Sequence, residues 1–380
     1  MSNTFTQYPA DVVFLSPTLS GGLGKVTIKL AETMFDRGLS VELWVLDDSD
    51  QTTVSTEILI RSVPGTSASS ALFKLSKMLK SRKPANIISA SFHLNCVTIL
   101  AKVISRVSSR VIIAEHTSLE NGLETLTWKK KIIARYCIAI LYRFSDIVIA
   151  VSNDAARQVE KYALLAENSV KTIYNPIIDD SLFKASKKEC PHPFSKIDEK
   201  IFLSVGRLSK EKDIPTLIKA FAESLKLKPS RLLIVGDGPE RANILKLIKL
   251  LGLTERIALL GHVTNPYPLF REANVLVLSS TREGLPTVLV EALALGCRTV
   301  STDVRSGPRE ILEDGRLGFL VPPSNAKALA SAMLKSLNLN DNKLNNPNVF
   351  LLKYYVSYAT DQYITCLKLN KKITELKSVQ

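Results

Sequence analysis

Short apolar runs alternate with longer amphipathic segments along the first half of the chain. The runs are five to seven residues long, are bounded by polar or turn residues, and are too short to form helices. They lie at 11–17, 41–46, 86–91, 110–114, 146–151 and 170–174. Apolar residues at helical spacing occupy the segments between most of them, for example 25–37 and 71–83. This alternation predicts a parallel sheet with helices covering both of its faces.

The same alternation starts again after a polar, proline-containing segment, 176–200, which includes the sequence KKECPHPFSK. Further strands are predicted at 201–205, 231–235, 256–260, 274–278 and 298–302, with helices between them at 214–225 and 240–251. Residues 338–348 contain six asparagines and predict a loop, because asparagine side chains compete locally for backbone hydrogen bonds. A last helix is predicted over 349–369.

The fold class predicted from this pattern is α/β, with two facing, doubly wound, Rossmann-like domains. The 380 residues exceed the ~100 to 200 of one ordinary domain. We expect a first domain over 1–175, a linker over 176–200, a second domain over 201–348, and a terminal helix within 349–380 that crosses back to the first domain. Open α/β sheets bind ligands at the carboxyl ends of their strands, so a cleft between the domains is the expected site.

Composition agrees with a folded, soluble chain. Hydrophobic residues make up 46% and charged residues 23%, which excludes disordered, collagen-like and disulfide-scaffold proteins. No apolar run approaches the ~18 residues that a membrane span requires, and the polar residues 1–10 show no secretory signal. The five cysteines are scattered and lack a Cys-x-x-Cys pair, so we expect reduced thiols in a cytoplasmic protein.

Positive charge is concentrated in the first predicted domain. The net charge is +14, and residues 74–143 carry thirteen Lys or Arg against three acids. Two basic helices are predicted here, one over 71–83 and one that starts at Trp128 and includes 129–131. Both suit an anionic membrane surface. Ordinary amphipathic helices with their lysines in water explain the same pattern equally well.

The most specific pattern is TREGLPTVLVEA at 281–292, directly after a predicted strand. Glu283 and Glu291 flank a glycine turn, and a helix is predicted to begin at Thr287. Such a helix start presents free backbone N–H groups and a positive dipole end, which suit a diphosphate. Capping and solvated carboxylates are the alternative explanation.

Two further glycine-containing turns follow predicted strands. In SVGRLSKEKD, Arg207 and Lys212 lie five residues apart, a spacing that can bring two cations to one phosphate group. In VGDGPE, Gly236 allows a tight turn into the next helix. Solvated charges and a plain strand-to-helix turn remain the alternatives for these two segments.

Taken together, these motifs resemble the retaining family 4 glycosyltransferases, which have the GT-B fold of two Rossmann-like domains. The segments that carry the resemblance occur in the family's order over about 11–330: Ser20-Gly21-Gly22-Leu23-Gly24, Ser152-Asn153, Tyr174-Asn175-Pro176, Gly206-Arg207 with Lys212, Gly236-Asp237-Gly238-Pro239, Gly261-His262-Val263, Glu283 with Glu291, and Ser306-Gly307-Pro308-Arg309-Glu310-Ile311.

The resemblance implies a role for each matching residue. Arg207 and Lys212 would hold the donor's diphosphate, Glu291 the ribose hydroxyls, and Glu283 the hydroxyls of the donor sugar. The residues expected to take part in catalysis are His116, Glu283, Arg207 and Lys212. The residues expected to bind the donor are Gly21, Gly22, Arg207, Lys212, Gly236, His262, Gly284, Leu285, Pro286, Thr287 and Glu291. The Gly21-Gly22 turn would add N–H groups to the diphosphate, ahead of a helix expected from about Lys25.

Transfer from a nucleotide sugar leaves negative charge on the diphosphate and positive charge on the sugar ring, so fixed cations stabilise the transition state. We expect Arg207 and Lys212 to replace a metal, because the acidic run 47–50 reads as a surface loop and not as an Asp-x-Asp that carries manganese. A retaining enzyme uses either a double displacement through a carboxylate or a front-face route. Glu115 is ambiguous as a nucleophile, and the resemblance favours the front-face route, with the donor phosphate accepting the acceptor's proton.

The chain has four histidines, and the sequence predicts different roles for them. His116 and His93 each follow a strand of the first domain, and either could bind a sugar hydroxyl or assist proton movement, unless it is structural. His116 resembles the family histidine near the reacting sugar. His262 is expected to border the nucleotide base, and His192 is expected to be inert in the linker.

The predicted protein is a cytoplasmic, metal-independent, retaining hexosyltransferase. Its donor would be a nucleotide-diphosphate sugar and its acceptor a saccharide or lipid-linked saccharide, in the assembly of a surface polysaccharide or glycolipid at the inner face of the membrane. A nucleotide-sugar epimerase or hydrolase on the same fold stays open as an alternative. Nucleic-acid binding, suggested by the charge alone, lacks any known recognition motif. A dehydrogenase is disfavoured because Gly-x-Gly-x-x-Gly is missing after the first strand.

Overall fold

The computed structural model describes residues 9–47, 54, 57–63, 68–116, 118–338 and 348–369. These residues belong to two compact units: unit 1, which comprises Met1–Pro176 and Lys353–Gln380, and unit 2, Ile177–Leu352. The N-terminal residues 1–8, most of the acidic run 47–50 and most of the asparagine-rich segment 338–348 lie outside the described residues.

Unit 1 is built on a parallel sheet. Its strands are β1 (Val12–Ser16), β2 (Val41–Val45), β3 (Leu59–Ser62), β4 (Asn86–Ala90), β5 (Arg110–Glu115), β6 (Ile147–Ala150) and β7 (Lys171–Thr172). Their order is β3-β2-β1-β4-β5-β6-β7, with Val12 paired to Val41 of β2 and to Asn86 of β4. Alternate residues of β1 enter opposite cores: Val13 and Leu15 pack on one face, and Val12 and Phe14 on the other. Both faces of the sheet are therefore covered, as the continuous apolar runs predict.

Helices flank this sheet. They are α1 (Gly21–Asp36), α2 (Ala68–Arg82), α3 (Phe92–Ser105), α4 (Leu119–Glu124), α5 (Trp128–Leu141) and α6 (Asn153–Ala163), with α15 (Val356–Leu367) near the end of the chain. Helix α15 packs against α1 and adds Tyr363 and Ile364 to the core. Arg110 donates from Nη1 to the carbonyl oxygen of Cys366 at 2.9 Å. The C-terminal helix is thus part of unit 1.

Unit 2 repeats the design. Its strands are β8 (Lys200–Val205), β9 (Ser230–Val235), β10 (Ile257–Gly261), β11 (Val275–Leu278), β12 (Arg298–Thr302) and β13 (Phe319–Val321), in the parallel order β10-β9-β8-β11-β12-β13. Its helices are α7 (Asp180–Ser186), α8 (Ile214–Leu225), α9 (Arg241–Leu250), α10 (Tyr267–Glu272), α11 (Thr287–Ala294), α12 (Pro308–Ile311), α13 (Ala326–Leu337) and α14 (Asn348–Leu351). Two parallel-sheet α/β units confirm the predicted fold class.

Several local features differ from the prediction. Residues 176–200, predicted as a linker, contain α7 and the buried side chains of Leu182 and Phe194, and all of them except Pro176 group with unit 2. The single helix predicted over 349–369 is divided into α14 and α15 by a 3-10 turn at Leu352–Tyr354. Strands β3, of four residues, and β13, of three residues, were not predicted. Among the described residues, no helix combines the length and apolarity needed to cross a membrane.

Candidate functional site

The strand order of unit 2 reverses between β8 and β11, which are neighbours in the sheet although β9 and β10 come between them in the chain. Ligands of doubly wound sheets bind beside the carboxyl ends of the strands at this kind of switch point. The loop after β8 carries Arg207 and Lys212, and the loop after β11 carries Glu283. The topology therefore brings the loop of Arg207 and Lys212 next to the loop of Glu283, which is far from it in sequence.

Backbone hydrogen bonds hold the loop after β8 in place. The N–H of Gly206 donates to the carbonyl oxygen of Val235 at 2.9 Å, and a 3-10 turn follows over Lys210–Lys212. Asp213 then caps α8, because its side chain accepts from the N–H of Thr216 at 3.3 Å. The backbone of Lys212 is thereby fixed between a turn and a helix start.

Lys212 and Glu283 form a direct ion pair. Nζ of Lys212 lies 2.6 Å from Oε1 of Glu283, and their side chains are only 22% and 9% exposed. The hydroxyl of Ser280 also donates to Oε1 of Glu283 at 2.6 Å. Ser306 donates to the backbone oxygen of Glu283 at 2.9 Å, and Ser279 donates to that of Lys212 at 2.7 Å. The side chain of Glu283 is therefore largely buried and is held by hydrogen bonds.

Arg207 differs from Lys212 in being exposed. In the described part of the chain, no carboxylate lies within ion-pair distance of its guanidinium. The hydroxyl of Ser209 and, more weakly, the charges of Lys212 and Arg207 hold the pKa of Glu211 below its usual value. Arg207 thus adds positive potential to the loop while its own hydrogen-bond donors stay available to a ligand.

Glycines let three loops approach each other beneath these cations. Gly236 has φ +131°, and a Cβ atom there would lie 1.9 Å from the carbonyl oxygen of Gly206. The N–H of Gly236 donates to the oxygen of Gly261 at 2.7 Å. Gly206, Arg207, Lys212 and Ser279 line a small hollow at this point. Gly236 therefore shapes the floor of the candidate site, and a side chain at this position would displace the loop after β8.

The second loop ends at the predicted helix start, since α11 begins at Thr287. Gly307 holds this turn closely: a Cβ atom there would be 2.4 Å from the oxygen of Gly284 and 2.5 Å from Cδ of Pro286. Glu291 lies further along α11, where it is hydrogen-bonded to the Tyr267 hydroxyl. Burial, the negative charges of Glu291 and Asp179 and this bond raise the pKa of Tyr267.

In unit 1 the strand order reverses between β1 and β4. Helix α1 begins at Gly21, so Gly21 and Gly22 form its first turn, whereas we had expected them to precede a helix starting at about Lys25. In this described region, no side chain caps the first N–H groups of α1. Gly24 cannot be replaced without movement, because its Cβ atom would lie 1.9 Å from the oxygen of Leu19.

His116 follows β5 and is held by Asn175. Nδ1 of His116 lies 3.0 Å from Oδ1 of Asn175, and burial lowers the pKa of the imidazole to about 4. An amide oxygen can only accept, so Nδ1 carries the proton and Nε2 has a free lone pair. His116 is thus a neutral ring with a defined tautomer, able to accept a hydrogen bond at Nε2.

Glu115, the neighbouring carboxyl, points into the core. It is 1% exposed, accepts from Nδ2 of Asn95 at 2.7 Å and accepts from the Tyr142 hydroxyl. Burial raises its pKa to about 7. A carboxyl so enclosed has no access to a sugar, so its ambiguous role as a nucleophile has no support in this geometry.

Two family models together match most of the chain. The model described as Glycosyltransferase Family 4 matches residues 20–181, and the one described as Glycosyl transferases group 1 matches residues 188–348. The chain belongs to glycosyltransferase family 4.

Several known proteins are similar to this family 4 glycosyltransferase in sequence or structure. It is 30% identical to an uncharacterized glycosyltransferase of Methanocaldococcus jannaschii over 63% of this chain and 61% of that protein. It is 29% identical, over 66% of each chain, to the Campylobacter jejuni N-acetylgalactosamine-N,N'-diacetylbacillosaminyl-diphospho-undecaprenol 4-alpha-N-acetylgalactosaminyltransferase. The match therefore spans just under two thirds of these relatives' lengths. The crystal structure of Anabaena HepE in complex with UDP has a TM-score of 0.72 at 20% identity, covers 97% of this chain and 100% of that one, and shows the shared fold.

The other histidines of this family 4 glycosyltransferase have different surroundings. His93 is exposed near the start of α3, with its ring centroid 3.7 Å from that of Phe92. His262 is exposed in the loop after β10. His192, expected to be inert in a linker, is buried, and its Nε2 lies 2.8 Å from Oε2 of Glu272. It joins residues 176–200 to α10.

Three residues of the site were not assigned roles from the sequence. Asn175, quoted only as part of the motif Tyr174-Asn175-Pro176, orients His116. Ser280 and Tyr267 bond the two glutamates and belong to no motif. The available signal for Ser280 was a polar residue two positions after a buried strand, whereas the sequence around Tyr267 gave no signal. The described residues contain no cluster of three metal-ligating side chains.

Proposed function

We propose that this enzyme transfers a hexosyl group from a nucleotide-diphosphate sugar to a saccharide or lipid-linked saccharide, with retention of anomeric configuration and without a metal. The observation that carries the proposal is the Lys212–Glu283 pair at the switch point of unit 2, with the exposed guanidinium of Arg207 on the same loop as Lys212. Two cations and a carboxylate on adjacent loops match the charges of a diphosphate and a sugar that separate during transfer.

The two cations would act on the leaving group. As the bond from the anomeric carbon to the diphosphate oxygen breaks, the electron pair stays on the diphosphate, and fixed positive charges stabilise it. The ammonium of Lys212 has three donors, so one can stay on Glu283 while others bind phosphate oxygens. Arg207 offers a planar fork suited to two phosphate oxygens. A protein of the same fold, Anabaena HepE, has been crystallised with UDP, which supports a nucleotide-diphosphate donor.

The two glutamates would bind hydroxyl groups. Carboxylates are acceptors only, so Glu283 would receive hydrogen bonds from the donor sugar and Glu291 from the ribose. Glu283 is already held by Lys212 and Ser280, and Glu291 by Tyr267, which limits their motion before the donor arrives. The start of α11 at Thr287 would offer backbone N–H groups to the diphosphate.

His116 would position the sugar that reacts. Its Nε2 lone pair can accept a hydrogen bond from a sugar hydroxyl, and Asn175 fixes the ring so that this lone pair has one direction. The enclosed position of Glu115 favours the front-face route over a covalent intermediate on that carboxyl. In the front-face route the donor phosphate accepts the proton of the acceptor hydroxyl.

The names of two relatives support the proposed class of acceptor. The Campylobacter jejuni protein is named as acting on a diphospho-undecaprenol-linked sugar, and an Erwinia amylovora relative, 26% identical, is named as an amylovoran biosynthesis glycosyltransferase. We therefore propose a role in assembling a surface polysaccharide or glycolipid, at the inner face of the cytoplasmic membrane.

Calorimetric titration with UDP and GDP tests the donor site. Removing one cation that contacts a diphosphate should weaken binding by about tenfold or more, since a hydrogen bond to a charged group contributes ~1.5 to 3 kcal/mol. We expect this loss in Arg207→Ala and in Lys212→Ala. Lys226→Ala is the matched control, because Lys226 forms an exposed ion pair with Glu223 in the same unit. Unchanged nucleotide affinity in both site variants would contradict the proposal.

A donor panel and product analysis test the reaction. Uridine- and guanosine-diphosphate sugars would be offered with a bacterial lipid extract as acceptor, and the product linkage would be read by NMR. Retention predicts the same anomeric configuration in donor and product. An inverted product would contradict the mechanism, and free sugar as sole product would favour the hydrolase alternative.

A further inference from the structure

Helix α5 has a composition unlike the other helices of unit 1. Its fourteen residues, WKKKIIARYCIAIL, comprise ten apolar and four basic residues and no acid. Only Ile138 is buried. An apolar helix in a globular protein normally buries such residues, so the exposed ones need an explanation.

The exposed side chains form one stripe along α5. Trp128, Ile132, Tyr136 and Ile140 follow each other at intervals of four residues, which places them on one face of the helix. Trp128 is 69% exposed and Tyr136 is 67% exposed. Ile133, beside them, is 62% exposed. The exposed apolar side chains of α5 therefore lie side by side along the helix and are not scattered over the surface.

Neighbouring elements extend this surface. Helix α3 and the 3-10 turn at Tyr142–Phe144 both contact α5 and each other. They carry the exposed apolar side chains of Val103, Ile104 and Phe144. We call the combined area the α5 surface. It is defined by α5, the end of α3 from Leu100 to Ile104, and Phe144.

Helix α2, the other basic helix predicted for membrane contact, differs. Its Leu75 and Leu79 are buried against the core and Lys74, Lys77 and Lys80 are exposed; Phe73, 73% exposed, is a single exposed aromatic residue, whereas α5 exposes a row of apolar side chains. This is an ordinary amphipathic helix, which is one of the two alternatives left open by its sequence. Helices α2 and α5 therefore carry the same number of lysines but differ in how much of their apolar surface is buried.

Charge selects the occupant of the α5 surface. Lys129, Lys130, Arg135 and Arg143 are exposed on or beside it. A second copy of the chain would bring identical cations together, and a neutral apolar partner would leave them without counter-charges. Anionic phospholipids supply apolar chains for the isoleucines and negative headgroups for the lysines, and Trp and Tyr favour the interface between the two.

We propose that the α5 surface docks on a membrane of anionic phospholipids, with Trp128, Ile133, Tyr136 and Ile140 entering the interfacial layer. The proposal deepens the proposed function, because a lipid-linked acceptor is presented at such a layer. Docking itself does not depend on catalysis, since no residue of the α5 surface belongs to the donor site of unit 2.

Vesicle co-sedimentation of the full chain at low salt tests this. The probes are vesicles of phosphatidylcholine alone and of phosphatidylcholine mixed with phosphatidylglycerol. We expect binding to the mixed vesicles only. Each lysine near an anionic surface contributes about a fivefold factor in affinity, so the triple variant Lys129→Gln, Lys130→Gln, Lys131→Gln should bind about a hundredfold more weakly. Ile133→Ser with Ile140→Ser should also abolish retention on the vesicles.

Matched controls separate the surface from general effects. Lys74→Gln, Lys77→Gln, Lys80→Gln removes the same charge from α2, and Leu227→Ser with Leu250→Ser removes two exposed leucines of unit 2, which are 77% and 82% exposed. Both controls should bind vesicles as the wild type does. Equal binding to neutral and mixed vesicles, or equal loss in the α2 triple variant, would overturn the proposal.

Two further readouts identify the partner and separate this proposal from the proposed function. Loss of a dimer in the α5 variants, with vesicle binding unchanged, would assign the surface to a second copy and overturn membrane docking. Preference for duplex DNA over mixed vesicles would overturn it as well. UDP affinity, measured on the same proteins, should be unchanged in the α5 variants. A wild type that binds vesicles and no nucleotide would refute the donor site and leave the α5 surface supported.

Discussion

Nζ of Lys212 lies 2.6 Å from Oε1 of Glu283, so the cation expected to hold a diphosphate is paired with the carboxylate expected to hold a sugar. The carboxylate also accepts from Ser280 and remains only 9% exposed. Glu283 therefore directs the ammonium before a donor binds. Loss of either partner should disturb the other, which makes the pair one functional unit.

The first prediction concerns this pair. Lys212→Ala and Glu283→Ala should each lower transfer by roughly 10²- to 10³-fold, the range seen when one group that stabilises developing charge is removed. Because the pair acts together, the double variant should be little worse than either single variant. The measurement is steady-state transfer with a saturating donor.

Folding must be checked for the same variants. Lys212→Ala leaves Glu283 with the Ser280 hydrogen bond and an open side toward water, so we expect a loss of about 1 kcal/mol in unfolding free energy. Circular dichroism should remain that of the wild type. If the activity losses of Lys212→Ala and Glu283→Ala were fully additive in the double variant, the coupling between the two residues would be contradicted.

The sequence predicts that Lys212 and Glu283 belong to one site, but it does not predict that they contact each other. Arg207, Lys212 and Glu283 each follow a predicted strand and match a family motif, so their membership of one site follows from parallel topology. Contact between Lys212 and Glu283, 71 residues apart in sequence, depends on β8 and β11 being neighbours and on the turn that Asp213 terminates. No local spacing encodes either condition.

The second prediction concerns His116 and Asn175. Because burial lowers the pKa of His116 to about 4, its ring should stay neutral across the range in which an ordinary histidine titrates. The chain has four histidines, so NMR can follow each one from about pH 5 to about pH 8. The resonance that disappears in His116→Gln should not shift. A midpoint near 6.5 would contradict the assigned environment.

Asn175 should act through His116. Asn175→Ala removes the acceptor that keeps the proton on Nδ1, so both tautomers become accessible and transfer should fall by about tenfold. The effect should vanish when His116 is already replaced, and this double-variant comparison distinguishes a positioning role from a general loss of stability. Unfolding of unit 1, followed by tryptophan fluorescence, is the accompanying control.

The segment 176–200 and the start of α1 both differ from what local composition predicts. The segment 176–200 has the prolines and lysines of a linker, yet burial of His192 and Phe194 ties it to unit 2. The start of α1 was placed about four residues late because glycine disfavours helix interiors; Gly21 and Gly22 are tolerated there in the first turn, where Gly21 has φ +68°. In the segment 176–200, tertiary contacts therefore outweigh local preference.

The third prediction concerns the glycine floor of the site. Gly236→Ala should destabilise unit 2 by several kcal/mol and abolish nucleotide binding, because its Cβ atom would lie 1.9 Å from the Gly206 oxygen at φ +131°. Gly252→Ala is the matched control: φ is +67° and nothing lies within 4 Å, so only about 1 kcal/mol of backbone strain is expected. Thermal unfolding by circular dichroism and UDP titration measure both. Equal effects of the two substitutions would rule out the close contact.

The fourth prediction is a pH dependence caused by Glu115. Its pKa is raised to about 7 in the folded state from an ordinary 4.5, so between these values the unfolded chain has released a proton that the folded chain keeps. The contribution of Glu115 to the unfolding free energy therefore falls as pH rises from 4.5 to 7, by at most about 3 kcal/mol. Glu115→Gln, neutral throughout, should lack this decline. Tyr142→Phe removes one donor to the carboxylate and should move the decline to higher pH.

His116 changes the unfolding free energy with pH in the opposite direction to Glu115, over nearly the same pH range. The Glu115 experiment must therefore include a His116 variant. Its folded pKa of about 4 lies below 6.5, so its contribution to stability is lost as pH falls toward 4. The two slopes partly cancel in the wild type, and only the comparison of Glu115→Gln with His116→Gln separates them. Both tryptophans, Trp44 and Trp128, belong to unit 1, so fluorescence during urea unfolding reports this unit alone. Slopes of the same sign in the two variants would contradict the buried positions of the two side chains.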